Sequence, residues 1–290
     1  EKLDETKSST NKNRKKNWWK YGSDAKSLYE TISKVDQVMV VAQVSKTLAF
    51  AFVPPNQVIS MMCIVLAFDD YASFCILQST IHKKWVQKYA SALKADTRYT
   101  PSDVFETFPF PDNIKNELYI SGERFYIHRQ SIMRKFNLGL TKLYNQFHNA
   151  ELCIITDDEA LLDDASYEKC KGKISLSFRK HLTNNNLIKY HVNDLYVDIQ
   201  EMRRLQIVLD KIVLDAYGWS DIPLRHDFYE VDYLPENDRI RFTIHPNARR
   251  EILKRLLQLN HQIYEEEKST ISKSTNMNKK SNLGTLFELC

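Results

Sequence analysis

Glycine is scarce in this chain. The 290 residues contain six, Gly22, Gly122, Gly139, Gly172, Gly218 and Gly284, and no two lie within fifteen residues of each other. Loops that hold dinucleotides, S-adenosylmethionine or phosphates need clustered glycines, because backbone must approach the ligand closely. No such cofactor site is expected here. The five cysteines are odd in number and lack CxxC spacing, and Cys63 and Cys75 sit in apolar runs. Reduced, mostly buried thiols of a cytoplasmic protein are expected. The eight histidines are scattered, without HExxH or His/Cys pairing, so no metal site is expected. The most apolar run, Val58–Phe68, is eleven residues. That is too short to span a bilayer, and no membrane association is expected. The chain opens on Glu1 rather than Met and reads as a piece of something longer.

What is present supports folded structure. A hydrophobic fraction of 43% is enough for one large core or two small ones. Charge is unevenly spread. Residues 1–110 hold 15 Lys+Arg and 11 Asp+Glu, while the remaining 180 hold 26 of each. The excess positive charge lies in the first third, partly in Lys12–Lys16. Such a bias is compatible with nucleic acid and equally with a solvated tail.

Periodicity gives an α+β reading. Val38–Val44 and Leu48–Val53 are rich in β-branched and aromatic residues and read as paired strands joined through Ser45-Lys46-Thr47. Val58–Phe68 reads as a further buried strand pair, or as one strand with an irregular lead-in. Asp69-Asp70 caps a helix expected from Tyr71 to about Leu93, with Phe74, Leu77, Ile81, Trp85, Tyr89 and Leu93 inward and Lys83, Lys84 and Lys88 on a basic outer face. Phe108-Pro109-Phe110-Pro111 reads as an extended strap that packs on something. Downstream, a long helix is expected over Glu123–Phe147, with Ile127, Ile132, Phe136, Leu140 and Leu143 inward. Glu151–Glu168, with seven acidic residues and no basic one, reads as a loop and short helix. A helix over Val197–Tyr217 ends at Gly218, and a strand is expected over Arg239–Ile244. Pro246 starts a helix whose Ile252, Leu256, Leu259 and Ile263 share a face.

The residues that could do chemistry are mostly missing. The only Pro-Pro, in Val53-Pro54-Pro55-Asn56, has the wrong order for an amino-methylating Asn/Asp-Pro-Pro-aromatic loop. Glu266-x-Lys268 has nuclease-like local spacing but ends an amphipathic helix, far from any Pro-Asp. No serine or cysteine lies in a nucleophile-elbow context. No catalytic, cofactor or metal residue is assigned. Binding candidates fare better. Arg98-Tyr99-Thr100-Pro101-Ser102-Asp103 combines a guanidinium, a phenol and hydroxyls in one loop. Arg98 either reads guanine or staples the loop through Asp96 or Asp103. Ser45-Lys46-Thr47 is a second contact candidate or a plain turn. Trp18, Trp19 and Tyr21 either stack on bases or lid a core.

The strings themselves carry more. Val44-Ser45-Lys46, Phe50-Ala51-Phe52-Val53-Pro54, Phe68-Asp69-Asp70-Tyr71-Ala72, Arg98-Tyr99-Thr100-Pro101-Ser102-Asp103 and Phe105-Glu106-Thr107-Phe108-Pro109-Phe110-Pro111 occur in that order. Later come Gly139-Leu140-Thr141-Lys142, Ala216-Tyr217-Gly218-Trp219, Arg241-Phe242-Thr243-Ile244 and Leu259-Asn260-His261. Each is weak alone. The ordered set, over about Asn17 to Glu267, resembles the target-recognition region of single-chain bacterial restriction–modification methyltransferases of the type IIG and IIL class. One departure is visible: relatives tend to have His-Gly-Phe where this chain has His226-Asp227-Phe228, so a different backbone is expected at that turn.

The resemblance implies a specificity part that recognises double-stranded DNA. Its adenine-N6 methyltransferase, with S-adenosylmethionine, lies elsewhere, with or without a nuclease. Composition and periodicity divide the chain into a basic disordered linker over 1–16, a mixed domain over 17–112 that the resemblance makes the recognition domain, a mainly helical domain over 113–267 and a disordered tail over 268–290. Lys46, Lys94 and Arg98 are expected near base edges, with Tyr99, Thr100 and Ser102 beside them and Lys83, Lys84 and Lys88 on phosphates. A separate specificity subunit that binds a methyltransferase, and an inactive gene remnant, remain as alternatives.

Overall fold

The computed structural model describes residues 15–16, 25–93, 96–152 and 192–284; nothing is said of the side chains of 92, 93, 192 and 270–284. Trp18, Trp19, Tyr21, Lys94 and nearly all of the acidic stretch lie outside the described residues, as does most of the basic linker; Lys15 and Lys16 are helical.

The chain opens with helix α1 (Lys26–Ile32) and strand β1 (Val38–Ala42). β1 is the centre of an antiparallel sheet, flanked by β3 (Ala51–Val53) and β4 (Cys63–Leu66), with Val40 facing Ala51 on one side and Val65 on the other. The expected continuous strand over Val38–Val44 is split at Gln43. The Gln43 N–H donates to Met62 O at 2.8 Å, and its carbonyl accepts from Tyr99 N at 2.8 Å. One residue thus hands the chain from the first sheet to a second, in which β2 (Val44–Ser45), β6 (Asp96–Arg98) and β5 (Ser91–Leu93) lie in that order. The stretch before β4 is an irregular lead-in, and it leaves Val58, Met61 and Met62 exposed rather than buried.

Asp70 does cap a helix, its Oδ1 accepting from Ser73 N at 2.8 Å. That helix is not continuous to Leu93. It divides into α2 (Tyr71–Gln78) and α3 (Thr80–Tyr89) at Ser79, which adopts ψ 156° and caps α3 by accepting from His82 N at 3.2 Å. The apolar spacing runs through the break because Phe74 and Leu77 before it and Ile81 and Trp85 after it are all buried, which hides the break from a periodicity argument. Ser91–Leu93 then forms β5, so the helix stops before Leu93.

The 20-residue α5 (Asn116–Lys135) lies across α2 and buries Leu118, Phe125, Tyr126 and Ile132. Gly122 makes the crossing possible: a Cβ there would stand 2.1 Å from the Tyr71 carbonyl oxygen. The expected helix over Glu123–Phe147 is also two helices. Asn137, at φ 49°, turns the chain before α6 (Leu140–Phe147), and Asn is among the few non-glycine residues that take this conformation readily. Ile127, expected inward, is 54% exposed.

Helix α7 (Val192–Ala216) packs along α5 and ends where expected, with Gly218 at φ 72° and Trp219 N–H returning to Leu214 O at 3.0 Å. A hairpin of β7 (Asp227–Glu230) and β8 (Ile240–Thr243) follows. Its left-handed residue is Arg225, at φ 45°, so Asp227 needs no glycine-like conformation. Pro246 opens α8 (Pro246–Gly284), which packs on α3. The helix runs to Gly284, so residues 268–284 are helical rather than a disordered tail. The polar composition hid this, since residues 268–284 lack the apolar periodicity from which a helix is read in sequence.

The architecture is α+β. Its core is one cluster running from Met39 to Leu256 and is not interrupted near residue 112. The strap over Phe108–Pro111 lies inside it: Phe108 packs on His82 at 4.7 Å between ring centroids, and Tyr217 Oη donates to Pro109 O at 2.7 Å. Gly122→Ala is expected to force α5 off α2 and destabilise the fold by about 1–3 kcal/mol. Thermal unfolding checks this; an unchanged midpoint would show that the crossing is looser than described.

Candidate functional site

The second sheet presents the loops singled out in the sequence. β6 is its middle strand, with Arg98 opposite both Val44 and Ser91, and Thr97 opposite Ser45 and Ala92. Alternation puts Asp96 and Arg98 on one face and Thr97 on the other. Arg98 is exposed. Among the described residues it forms no ion pair with Asp96 or Asp103, so the loop is not stapled through it. The turn leading out of β2 is fixed locally: Ser45 Oγ donates to Thr47 O at 2.9 Å and accepts from Thr47 N at 3.0 Å.

The expected contact residues do not share one environment. Tyr99 is 1% exposed. Its ring meets Phe50 edge-on at 6.0 Å and His82 at 5.9 Å, because it follows Arg98 by one residue and so takes the inward side. A core ring cannot touch DNA, and Tyr99 is removed from the set. Thr100 is half-buried, and its carbonyl accepts from Asp103 N and Val104 N, both at 3.0 Å, at the start of the short helix α4 (Pro101–Val104). Ser102 is exposed and donates to Asp103 Oδ1 at 3.1 Å.

The lysine face of α3 also needs correction. Only Lys88 is exposed. Lys83 and Lys84 are half-buried because the segment around β8 and α8 covers that side of α3. Lys84 Nζ donates to Gln87 Oε1 at 2.7 Å and lies 6.0 Å from the centre of the Tyr233 ring. Burial is the main cause that pushes the ammonium of Lys83 down to about 8, with the Arg241 charge adding to it. Lys84 is likewise pushed down to about 8 by burial and by Arg249. These are poor phosphate anchors in this arrangement.

Lys46 is half-exposed and pairs with Asp238 at 3.2 Å. This ion pair bridges a groove of about 990 Å³. Ser45, Lys46, Thr47 and Asp96 line one wall. The other consists of Asn145, Gln146 and His148 from the end of α6, with the turn over 236–241. Gln146 is 4% exposed, and among the described residues its Oε1 is buried without a partner, as is Nδ1 of His148. Nothing in the sequence marks Gln146 or His148, since their significance depends on how α6 meets the second sheet. Deeper in, Asp210 is fully buried and accepts from Thr80 N at 2.7 Å, Thr80 Oγ1 at 2.6 Å, Gln206 Nε2 at 3.0 Å and His226 Nε2 at 2.7 Å.

Among the described residues no three His, Cys, Asp or Glu side chains converge on a metal position, and no helix is long and apolar enough to cross a membrane. Of Gly122, Gly139 and Gly218 only the first is crowded, and by the Tyr71 backbone.

Lys83→Met is expected to raise the melting temperature by about 2–4 °C at pH 7. The native lysine holds its proton less tightly than the unfolded one, whose ordinary value is 10.5. The penalty is therefore full below about pH 8 and fades as pH rises towards 10.5. Melting curves of both proteins between pH 7 and 10 check this. A gap that stays constant, or a variant less stable at pH 7, would contradict it.

No curated protein matches the chain. A structural search returns the type IIL restriction–modification enzyme MmeI in complex with DNA, at 13% identity and a TM-score of 0.47, over 90% of this chain and 25% of that one. The chain thus spans about a quarter of that enzyme's length. The family model of the MmeI target recognition domain matches residues 1–112, the stretch that contains both sheets and α1 to α4. Residues 1–112 are thus similar to a target recognition domain of the MmeI type.

Proposed function

We propose that this chain reads the sequence of double-stranded DNA for a restriction–modification adenine-N6 methyltransferase. The methyltransferase, its S-adenosylmethionine and any nuclease would belong to another stretch of protein. The observation that carries the reading is the exposed Arg98 on the middle strand of the second sheet, free of the acids beside it, within a match to a target recognition domain. A guanidinium held on a strand rather than a tail is preorganised, and it suits the paired acceptors of guanine. Lys46 would reach a base edge by leaving Asp238, giving up one solvent-accessible ion pair. Lys94 flanks the same strand in sequence, and Ser102, Thr100 and Lys88 would position the phosphates. In the whole enzyme such contacts would register the duplex while a target adenine flips into the methyltransferase pocket.

The test is selection from a randomised duplex library with the 290-residue chain at two salt concentrations. A short motif retained at the higher salt is expected. Arg98→Ala is expected to relax one motif position at a cost of about 1–3 kcal/mol, and Lys88→Ala to weaken all sequences alike and reduce the salt slope by about one. Salt-sensitive binding without a motif would contradict the proposal.

A further inference from the structure

The lead-in to β4 turns apolar side chains towards water. Met61 is 87% exposed, Val58 76% and Met62 54%. Single apolar residues scattered over a surface need no explanation, but these three fall within one short loop. The loop is also neutral: residues 54–68 hold no Asp, Glu, Lys or Arg. It therefore offers nothing to a phosphate and brings no carboxylate that would repel one.

The backbone that carries them is held. Ile59 N–H donates to Tyr29 Oη at 3.4 Å, Met62 N–H to Ser60 Oγ at 3.2 Å and Cys63 N–H to Ser60 O at 2.9 Å. An apolar group displayed on a fixed backbone loses little freedom when a partner covers it. The position of the loop identifies that partner. The Met62 carbonyl accepts from Gln43 N, and the Gln43 carbonyl accepts from Tyr99 N, both at 2.8 Å. Met62, Gln43 and Tyr99 thus lie side by side like neighbouring strands, and Arg98 adjoins Tyr99. Strands lie about 4.8 Å apart, so the loop is about 10 Å from the strand that carries Arg98. That distance is roughly three base-pair steps of a duplex.

A guanine-reading Arg98 would enter the major groove, where the one apolar group on a base edge is the C5 methyl of thymine. We propose that Met61, with Val58 in the same loop, is a further specificity-determining residue that packs on the methyl of a thymine, within about three base pairs of the guanine read by Arg98. This inference rests on the DNA-reading function proposed above and adds a second base position to the same site. Arg98 would select by hydrogen bonds and Met61 by apolar contact, so the two positions call for different chemical tests.

The test begins with the library selection on the full chain. A T·A pair is expected within about three base pairs of the position that Arg98→Ala relaxes. Affinity is then measured for the selected duplex and for the same duplex with deoxyuridine in place of that thymine, which removes the methyl alone. Wild type is expected to bind the deoxyuridine duplex about fourfold more weakly, the worth of one buried methyl. Met61→Ala is expected to bind the two duplexes alike, and Met61→Leu, still apolar, to keep the difference. The Met61 side chain is exposed, so neither variant threatens the fold. Equal binding of both duplexes by wild type, or a motif without thymine in that interval, would overturn the inference and leave readout by Arg98 intact. A difference that survives in Met61→Ala would also overturn it, and would leave the loop to a protein contact or to a wedge that does not sense the methyl. If the wild-type chain selects no motif, the function proposed above fails, and this inference with it.

Discussion

Asp210 lies fully buried on α7, and its carboxylate accepts from the backbone N–H and hydroxyl of Thr80, the first residue of α3. Gln206 and His226 complete its hydrogen bonds. A buried carboxylate is costly unless its lone pairs are used, and here four donors use them. The consequence is geometric. α3 carries the face that supports the second sheet, and its start is pinned to a helix more than a hundred residues away in sequence. Ser79 breaks the helix at the one place that lets Thr80 turn its amide towards that carboxylate.

A second buried anchor acts from the other side. Arg129 is 1% exposed, donates to Gln78 Oε1 at 3.1 Å and to Phe50 O, and lies 5.3 Å from the ring centres of both Phe74 and Tyr126. Gln78 in turn accepts from Phe50 N at 3.1 Å and donates to Leu48 O at 3.2 Å. The chain between β2 and β3 is thereby fixed by side chains where no strand partner is available. One anchor fixes the start of α3 and the other the segment between β2 and β3, so residues beyond 112 set the position of elements within 1–112. A surface that discriminates bases needs this rigidity, because misplacement of a reading residue forfeits the hydrogen bonds that distinguish one base from another.

Much of the fold was legible in the sequence. The β1–β3 pairing, the Asp70 cap, the Gly218 stop and the Pro246 start all rest on local chemistry, and local chemistry is what a sequence displays. The breaks at Ser79 and over Phe136–Gly139 were not legible, since the apolar spacing continues across them. The extent of α8 was missed for the opposite reason: its last residues are helical in backbone but carry no apolar spacing in the sequence. At the candidate site, strand alternation separates Arg98 from Tyr99, and a loop reading could not apply it. Lys83 and Lys84 looked like an outer face because α8 and the segment around β8, which cover it, are remote in sequence. Gln146, His148 and Asp210 gain their significance only from contacts between distant elements.

The proposed reading surface rests on one continuous core shared with the helices that follow residue 112. Differential scanning calorimetry of the chain and of Asp210→Ala tests this most directly. One transition is predicted for the wild type, with calorimetric and van't Hoff enthalpies in agreement, and the variant should shift that whole transition down by about 3–5 kcal/mol. Two separable transitions, or a variant that melts at the wild-type temperature, would contradict it.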